Sequence, residues 1–184
     1  MTGHCMLITG GARSGKSAFA ESLLPAEDPV VYLATARVTD DEMQERIAHH
    51  QQSRPAIWTT VEQTYDLRRV CESALQPPVI LLDCVSILTS NIMFDITGEH
   101  DRIPPALQQQ VEDTVVGELE RLGTAVKNRN GTLIMVTNEV GDAIVPANHV
   151  ARVYRDILGR VNQRAAALCD SVYLVTCGIP LQLK

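Results

Sequence analysis

Short apolar runs alternate with longer amphipathic stretches along almost the whole chain. Five of these runs are five or six residues long and largely β-branched or aliphatic, which is typical of strands buried in a parallel sheet. They cover residues 5–9, 30–35, 79–83, 132–137 and 171–176. A sixth run, residues 56–62, carries more polar side chains and is predicted as a further strand.

The amphipathic stretches between these runs have the period of α-helices. Thr39 and Glu42 form the pattern of a capping box at the start of one of them. Alternating strands and helices predict βαβ units with right-handed crossovers, and therefore one doubly wound sheet. The predicted helices cover residues 15–23, 40–51, 64–75, 105–128 and 148–168.

Residues 95–105, with Gly98 and two prolines, form the one long irregular connection. We expect a surface loop there, with a mobile lid as the alternative. The chain has 184 residues, which is enough for one compact domain but short for two. We therefore predict a single domain over residues 1–184, of α/β class, with a mostly parallel sheet flanked by helices.

Composition and charge narrow the classes of partner. Aromatic residues make up only 4% of the chain, so the core must consist of aliphatic side chains, as in an α/β sheet. The net charge of −6 opposes binding to nucleic acids and anionic membranes. No apolar run approaches the roughly 18 to 20 residues that span a membrane, and the N-terminus lacks a signal-peptide pattern. We expect a soluble, cytoplasmic protein that neither binds nucleic acid nor inserts into membranes.

The cysteines are odd in number and show no CxxC spacing. This pattern indicates reduced thiols in a cytosolic protein, several of them buried in strands, and does not support a cysteine metal site. The five residues are Cys5, Cys71, Cys84, Cys169 and Cys177.

A phosphate-binding loop follows the first predicted strand. The stretch from Gly10 to Ser17 satisfies the pattern G-x4-G-K-[ST] and opens a predicted helix, as this motif requires. Backbone N–H groups and the helix N-terminus would surround the phosphates, and Lys16 would add a cation. The motif predicts a P-loop NTPase-type fold that binds a nucleoside triphosphate. Its residues are Gly10, Gly11, Ala12, Arg13, Ser14, Gly15, Lys16 and Ser17.

A carboxylate ends another predicted strand, and we expect it to act together with the phosphate loop. Asp83 follows an apolar run, in the manner of an acid that holds Mg²⁺ directly or through water, and the hydroxyl of Ser17 is a second candidate ligand. The alternative is that Asp83 only caps a helix that starts near Val85. Asn138 is followed by neither the Lys nor the Asp of an N-K-x-D guanine motif, so the residues themselves leave the base open.

Two adjacent histidines lie on a strongly polar predicted helix. Glu45 and His49 share one face of it, because they are four residues apart. A solvated helix with idle histidines is one interpretation. The other is nucleophilic catalysis, in which a neutral imidazole attacks phosphorus and Arg54 stabilises the negative charge; His50 is then an auxiliary residue.

Six blocks of the sequence, taken together, are similar to one enzyme family. They read ITGGARSGKS, VYLATA, DDEMQERIAHHQQSRP, LLDC, TNEVGDAIVP and ARVYRDILGRVNQRAAALCDSVYLV, in this order. The chain resembles the bifunctional adenosylcobinamide kinase / adenosylcobinamide-phosphate guanylyltransferases of cobalamin biosynthesis, from about residue 6 to 184.

The resemblance implies roles for particular residues. His49 would be the catalytic acceptor of GMP, and Lys16 would act in catalysis at the triphosphate. Glu62 and Asp83 would lie near the nucleotide. Further nucleotide-binding positions implied in this way are Ala34, Thr35, Ala36, Gln51, Gln52, Ser53 and Arg54.

The implied reactions are two successive transfers. The enzyme would phosphorylate adenosylcobinamide with GTP or ATP, and would then carry GMP from GTP on His49 to adenosylcobinamide phosphate, giving adenosylcobinamide-GDP. The resemblance also implies Mg²⁺ and a homo-oligomer, a trimer. The residues by themselves leave two alternatives open: a simple P-loop small-molecule kinase without a covalent nucleotide, and a nucleotide-binding regulatory module.

Some segments depart from the family or are less informative. The family often has Glu at the position of Asp83, and residues 95–112 match poorly. Asn138, Glu139 and Gly141 should lie at the carboxyl edge of the sheet, where they either contact substrate or form a turn. Four arginines of the last predicted helix have three possible roles. They form a solvated face, bind an acidic surface, or belong to a subunit interface. They are Arg152, Arg155, Arg160 and Arg164.

Overall fold

The computed structural model describes residues 3–24, 27, 29–37, 55–72, 79–98 and 100–184. Within these residues a seven-stranded sheet has the order β3-β2-β4-β5-β1-β6-β7. The first six strands in the chain run parallel, and β7 is antiparallel to β6. The strands are β1 (His4–Thr9), β2 (Val30–Ala34), β3 (Thr59–Glu62), β4 (Val79–Asp83), β5 (Thr132–Val136), β6 (Ser171–Thr176) and β7 (Ile179–Gln182).

Helices cover both faces of the sheet. In the described residues they are α1 (Lys16–Ser22), α2 (Arg69–Glu72), α3 (Val85–Thr97), α4 (Pro105–Lys127) and α5 (His149–Leu168). Alternate strand residues point to opposite faces, so each strand contributes to two apolar layers. The larger layer lies under α3, α4 and α5, and the smaller one lies under α1. The sheet is therefore the centre of a three-layer α/β fold, as predicted.

The register of the parallel strands fixes what meets at the carboxyl edge. Ala34 of β2 is level with Glu62 of β3 on one side and with Asp83 of β4 on the other. Ile8 of β1 is level with Val136 of β5. Because all the parallel strands end at this edge, the loops that follow them form one continuous rim.

The long elements agree with the sequence pattern. The five apolar runs are strands, and the helices predicted at 105–128 and 148–168 are α4 and α5, to within one residue at each end. The run at 56–62 begins as a turn and becomes a strand only at Thr59. The predicted helix at 40–51, with its capping box, lies outside the described residues.

Three shorter elements differ from the prediction. Residues 64–66 are not helical and α2 begins only at Arg69, because the side chain of Gln63 binds the carbonyl oxygens of Tyr65 and Asp66 in a turn. In the sequence, α3 is indicated only as the helix near Val85 that Asp83 would cap, and no pattern predicts strand β7. The irregular connection is shorter than expected, since α3 extends to Thr97.

Candidate active site

The phosphate loop leaves β1 with the backbone packed too closely for side chains at two of its glycines. A Cβ atom at Gly10 would lie 2.4 Å from the carbonyl oxygen of Val175. Gly15 has a φ of 96°, which L-residues rarely adopt, and a Cβ there would lie 3.1 Å from the Cα of Gly178. Glycine is therefore required at both ends of the curled segment.

Helix α1 begins directly at the two residues expected to act on phosphate and metal. Lys16 and Ser17 are the first residues of the helix, and the Lys16 ammonium donates a hydrogen bond to the carbonyl oxygen of Gly11 at 3.1 Å. The hydroxyl oxygens of Thr9 and Ser14 are buried and have no hydrogen-bond partner among the described residues. Polar atoms of this kind are costly unless a ligand satisfies them, as a phosphate would.

A second group of predicted residues gathers at the ends of β2, β3 and β4. The strand register brings Ala34, Glu62 and Asp83 side by side. Thr35, 1% exposed, donates its hydroxyl hydrogen to the carbonyl oxygen of Cys84 at 2.8 Å and accepts the Cys84 N–H at 2.9 Å. The backbone after β2 is thereby fixed against the start of α3.

Asp83 does not cap the helix that follows it. Cys84 occupies the N-cap position of α3, and no side-chain hydrogen bond caps that helix. The Asp83 carboxylate instead accepts a short hydrogen bond from the hydroxyl of Tyr32, which is 3% exposed. The capping alternative is therefore wrong for this residue.

The structure does not bring Asp83 directly against the phosphate loop. Strand β5 lies between β4, which carries Asp83, and β1, which leads to Ser17. Neighbouring strands are about 4.8 Å apart, so the two strands are separated by about 10 Å. A carboxylate at this distance reaches a metal at the loop more easily through water than by direct contact.

The loop after β5 fills the gap between these two strands. The pairing of β5 with β1 continues beyond the strand ends, since Thr137 N–H bonds the Ile8 carbonyl and Glu139 N–H bonds the Gly10 carbonyl, both at 3.0 Å. The Glu139 carboxylate accepts the Gly141 N–H at 2.7 Å. Glu139 thus lies beside the first glycine of the phosphate loop.

A buried amide network holds the same loop to the helices. Thr137 donates to the side-chain oxygen of Asn162 at 2.8 Å, and the Asn162 amide donates to the Asn138 carbonyl at 3.0 Å. The Asn138 side chain in turn donates to the hydroxyl of Ser86 at 2.9 Å. These contacts account for Asn138 as a structural residue of the loop.

The turn between β6 and β7 packs on the phosphate loop from the other side. Gly178 N–H donates to the carbonyl oxygen of Ser14 at 2.8 Å. Cys177, the residue before it, is exposed, whereas the other four cysteines are buried. The phosphate loop is therefore supported by backbone contacts on both flanks.

Side chains of α3 hold the segment that follows β2. The Asn91 amide donates to the Thr35 carbonyl at 2.7 Å. One turn further along the helix, Asp95 receives two hydrogen bonds from the Arg37 guanidinium, each 2.7 Å long, and one from the Tyr65 hydroxyl at 2.9 Å. This cluster joins the exits of β2 and β3 to one face of α3.

The cluster shifts the titration of its members. Hydrogen bonding to Arg37 holds the pKa of Asp95 below its usual value. Burial, followed by the hydrogen bond to Asp95, raises the pKa of Tyr65 to about 12. At neutral pH the cluster is a carboxylate between a guanidinium and a neutral phenol.

Part of the predicted site lies outside the described residues. Both histidines, His49 and His50, belong to that part, as do four nucleotide-binding positions, Gln51, Gln52, Ser53 and Arg54. The described part of the prediction falls into two groups on one edge, the phosphate loop and the Ala34–Glu62–Asp83 group.

Sequence reasoning did not single out Tyr32, Arg37, Asp95 or Tyr65. Arg37 and Asp95 are 58 positions apart, and no motif links them. The only signal for Tyr32 is its position in an apolar run, two residues before the strand end, where its hydroxyl requires a partner.

Other features lie away from this edge. A groove of about 360 Å³ lies beside the C-terminal half of α4, and its lining includes Arg68, Arg121 and Asn128. Its arginines are paired with Glu72 and Glu118. Over the described ranges, no cluster of three or more His, Cys, Asp or Glu side chains could hold a metal ion. In the same ranges, no helix combines the length and apolar character needed to cross a membrane.

The chain matches a family model over nearly its whole length. The model is described as cobinamide kinase / cobinamide phosphate guanyltransferase, and it matches residues 6–183. The chain belongs to this family. It is an enzyme of the cobinamide kinase / guanyltransferase type, as its blocks of sequence predicted.

Three named bacterial proteins are similar to this chain along nearly their full lengths. The bifunctional adenosylcobalamin biosynthesis protein CobU of Escherichia coli is 42% identical over 181 residues, with 97% of this chain and 99% of that protein covered. CobU of Salmonella typhimurium is 43% identical over 183 residues, with the same shares covered. CobP of Pseudomonas aeruginosa is 34% identical over 180 residues, covering 97% of this chain and 96% of that protein.

The fold also occurs in a more distant solved structure. A KaiC-like protein from Pyrococcus horikoshii superposes with a TM-score of 0.52 at 14% identity, covering 94% of this chain and 72% of that one. At this identity the likeness concerns the fold only. The cobinamide kinase / guanyltransferase chain therefore has a mostly parallel P-loop α/β architecture.

Proposed function

We propose that this chain phosphorylates adenosylcobinamide with a nucleoside triphosphate and then transfers GMP from GTP to adenosylcobinamide phosphate through a GMP–histidine intermediate on His49. The product is adenosylcobinamide-GDP, the activated intermediate for nucleotide-loop assembly in cobalamin. The observation that carries the proposal is the family match over residues 6–183, together with an intact phosphate loop on the rim shared by Glu62 and Asp83.

In the kinase step the phosphate loop binds the triphosphate. Its inward N–H groups and the N-terminus of α1 stabilise the phosphate oxygens, and Lys16 offsets charge on the β- and γ-phosphates. The acceptor hydroxyl oxygen forms a bond to the γ-phosphorus as the bond to the β-phosphate oxygen breaks. A nucleoside diphosphate leaves, and the hydroxyl proton passes to a base.

In the guanylyl step a neutral His49 imidazole attacks the α-phosphorus of GTP. The bond to the β-phosphate oxygen breaks and pyrophosphate leaves, so that GMP is held on the imidazole as a phosphoramidate. A phosphate oxygen of adenosylcobinamide phosphate then attacks the same phosphorus and displaces His49. Arg13 and Arg54 are the cations we assign to the negative charge that develops.

Other residues of the rim would bind the remainder of the nucleotide. We assign this role to Glu62, Asp83 and the segment from Ala34 to Ala36, together with residues 51–54. The loop residues from Gly10 to Ser17 complete the site. The proposal includes a cytoplasmic enzyme of one domain over residues 1–184 that assembles as a homotrimer.

Mg²⁺ fits the oxygen donors of this site. The Ser17 hydroxyl and the Asp83 carboxylate are hard ligands of the kind that Mg²⁺ prefers, and the unpartnered hydroxyls of Thr9 and Ser14 indicate a polar ligand at the loop. When bound, the ion neutralises charge on the phosphate oxygens. The residues to hold it would be Ser17 and, through water, Asp83.

The decisive test uses GTP labelled at the α-phosphate. Wild type, His49→Asn and His50→Asn are incubated with Mg²⁺ and labelled GTP and are then separated under denaturing conditions. We expect acid-labile label on wild type and on His50→Asn, and none on His49→Asn. The adjacent histidine is a matched control, because it has the same chemistry one position away.

Absence of label on folded, GTP-binding wild-type protein would contradict the covalent mechanism. The chain would then act as a kinase without a nucleotidyl intermediate. Equal labelling of His49→Asn and wild type would show that another residue is the nucleophile.

A further inference from the structure

The kinase step of the proposed function needs a base for the acceptor hydroxyl, and one carboxylate is attached directly to the phosphate loop. The Glu139 N–H bonds the Gly10 carbonyl at 3.0 Å, which extends the β1–β5 ladder past the strand ends. Glu139 therefore lies level with the start of the loop. It lies in the loop that follows β5, the strand next to the loop strand β1.

Three other carboxylates of the described rim are less suited to this task. Asp83 lies one strand further from the loop and accepts a hydrogen bond from Tyr32. Glu62 lies two strands beyond Asp83, at the far edge of the sheet. Asp95 is paired with Arg37. Glu139, in contrast, has its backbone bonded directly to the phosphate loop at Gly10.

One hydrogen bond within the turn engages the Glu139 carboxylate. Its Oε1 accepts the Gly141 N–H at 2.7 Å, and the Gly141 backbone approaches so closely that a Cβ there would lie 2.9 Å from that oxygen. Asn138, the preceding residue, is tied to Ser86. This contact uses Oε1, so the second carboxylate oxygen is the one that would take up a proton as a general base.

We propose that Glu139 is the general base of the kinase step. This inference rests on the proposed function. The Glu139 carboxylate accepts the proton of the acceptor alcohol while its oxygen bonds to the γ-phosphorus and the nucleoside diphosphate leaves. The protonated side chain then returns the proton to water, so charge and atoms balance without any further reactant.

The transfer of GMP to His49 is a second reaction at the same triphosphate site, and it serves as the reference for the kinase step. The transfer uses a neutral imidazole and removes no proton from an alcohol, so it does not need Glu139. A defect at Glu139 should therefore separate the two activities. Loss of the loop's structure would instead reduce both, because both use the triphosphate site.

The substitution Glu139→Gln tests this separation. Glutamine keeps a side-chain oxygen that can accept the Gly141 N–H but cannot take up a proton at neutral pH. We expect turnover in the kinase step to fall by about 100-fold or more. Labelling of the protein by α-labelled GTP and the KM for the nucleotide should stay within about twofold of wild type. Asp142→Asn, an exposed neighbour in the same loop, is the matched control and should retain both activities.

Two results would overturn the inference. If kinase turnover of Glu139→Gln stayed within twofold of wild type, the carboxylate would not be the base. Its role would be the turn contact with Gly141 alone. Parallel loss of kinase turnover and labelling would make the residue a structural support of the loop. Failure of the proposed function is distinguishable from both, because it would already be seen in wild type.

Discussion

Glu62, Asp83 and Asp95 are acidic residues on one side of the sheet edge, but each has a different neighbour. Asp95 is paired with Arg37, so its charge is already compensated. Asp83 accepts a hydrogen bond from the hydroxyl of Tyr32, which carries no compensating charge. Glu62 is exposed. At the scale of single residues, this difference favours Asp83 over Asp95 for the metal role that we propose, and Asp95 is a structural acid.

The Arg37–Asp95 pair should make stability depend on pH. Because the pKa of Asp95 is lower in the folded protein than its ordinary value of 3.8, its contribution is present above that value and is lost as the pH falls through the lowered pKa. Both side chains are partly exposed, so we expect Asp95→Asn to lower the free energy of unfolding by only about 0.5 to 1 kcal/mol at pH 7. Urea titrations of wild type and variant at pH 7 and pH 3 measure the difference. An equal gap at both pH values would contradict the ionic origin of the effect.

Helices α4 and α5 contact each other through ion pairs at the surface and through aliphatic side chains beneath them. Arg160 pairs with Glu112 of α4, and Arg164 pairs with Glu120 of the same helix. Arg152 instead donates to the carbonyl oxygens of residues 146 and 147, and Arg155 pairs with its neighbour Asp156. The basic face of α5 is therefore largely satisfied within the chain. Between the ion pairs and the sheet, α4 and α5 bury an aliphatic layer.

Packing should outweigh charge in the contact between α4 and α5. Leu119, 1% exposed, is part of the buried layer, whereas the next residue, Glu120, forms an exposed ion pair with Arg164. We expect Leu119→Ala to destabilise the protein by about 2 to 5 kcal/mol and Glu120→Gln by less than about 1 kcal/mol. Chemical denaturation of both variants gives the two values. Comparable losses would mean that the ion pairs carry more of the helix contact than their exposure suggests.

At the scale of elements, the sequence predicts those strands and helices whose apolar residues follow a regular pattern. The aliphatic strands and the amphipathic helices α4 and α5 were all located in this way. Helix α3 has buried residues on most of its surface, so its sequence lacks the polar stripe that marks an amphipathic helix. Strand β7 is exposed at the sheet edge and contains Pro180, so it shows neither an apolar run nor strand propensity.

At the scale of the whole molecule, strand order is what the sequence pattern could not provide. The phosphate loop was predictable because it is contiguous in sequence and has a fixed spacing. The meeting of Ala34, Glu62 and Asp83 depends on pairings between distant strands, and for Glu62 it was expected only from the family resemblance. The insertion of β5 between the loop strand and the Asp83 strand follows from the topology, and with it the position of Glu139.

The distribution of thiols over the molecule has a practical consequence. Four cysteines are buried in the apolar layers, and Cys177 is exposed in the turn whose next residue, Gly178, bonds the phosphate loop at Ser14. The protein thus carries one natural attachment point for an environment-sensitive maleimide dye, next to the site of interest. We expect native protein to take up one equivalent of dye and the dye emission to change when triphosphate is added. Intact mass and fluorescence titration check both points, and Cys177→Ser should abolish native labelling, giving a binding reporter that needs no engineered cysteine.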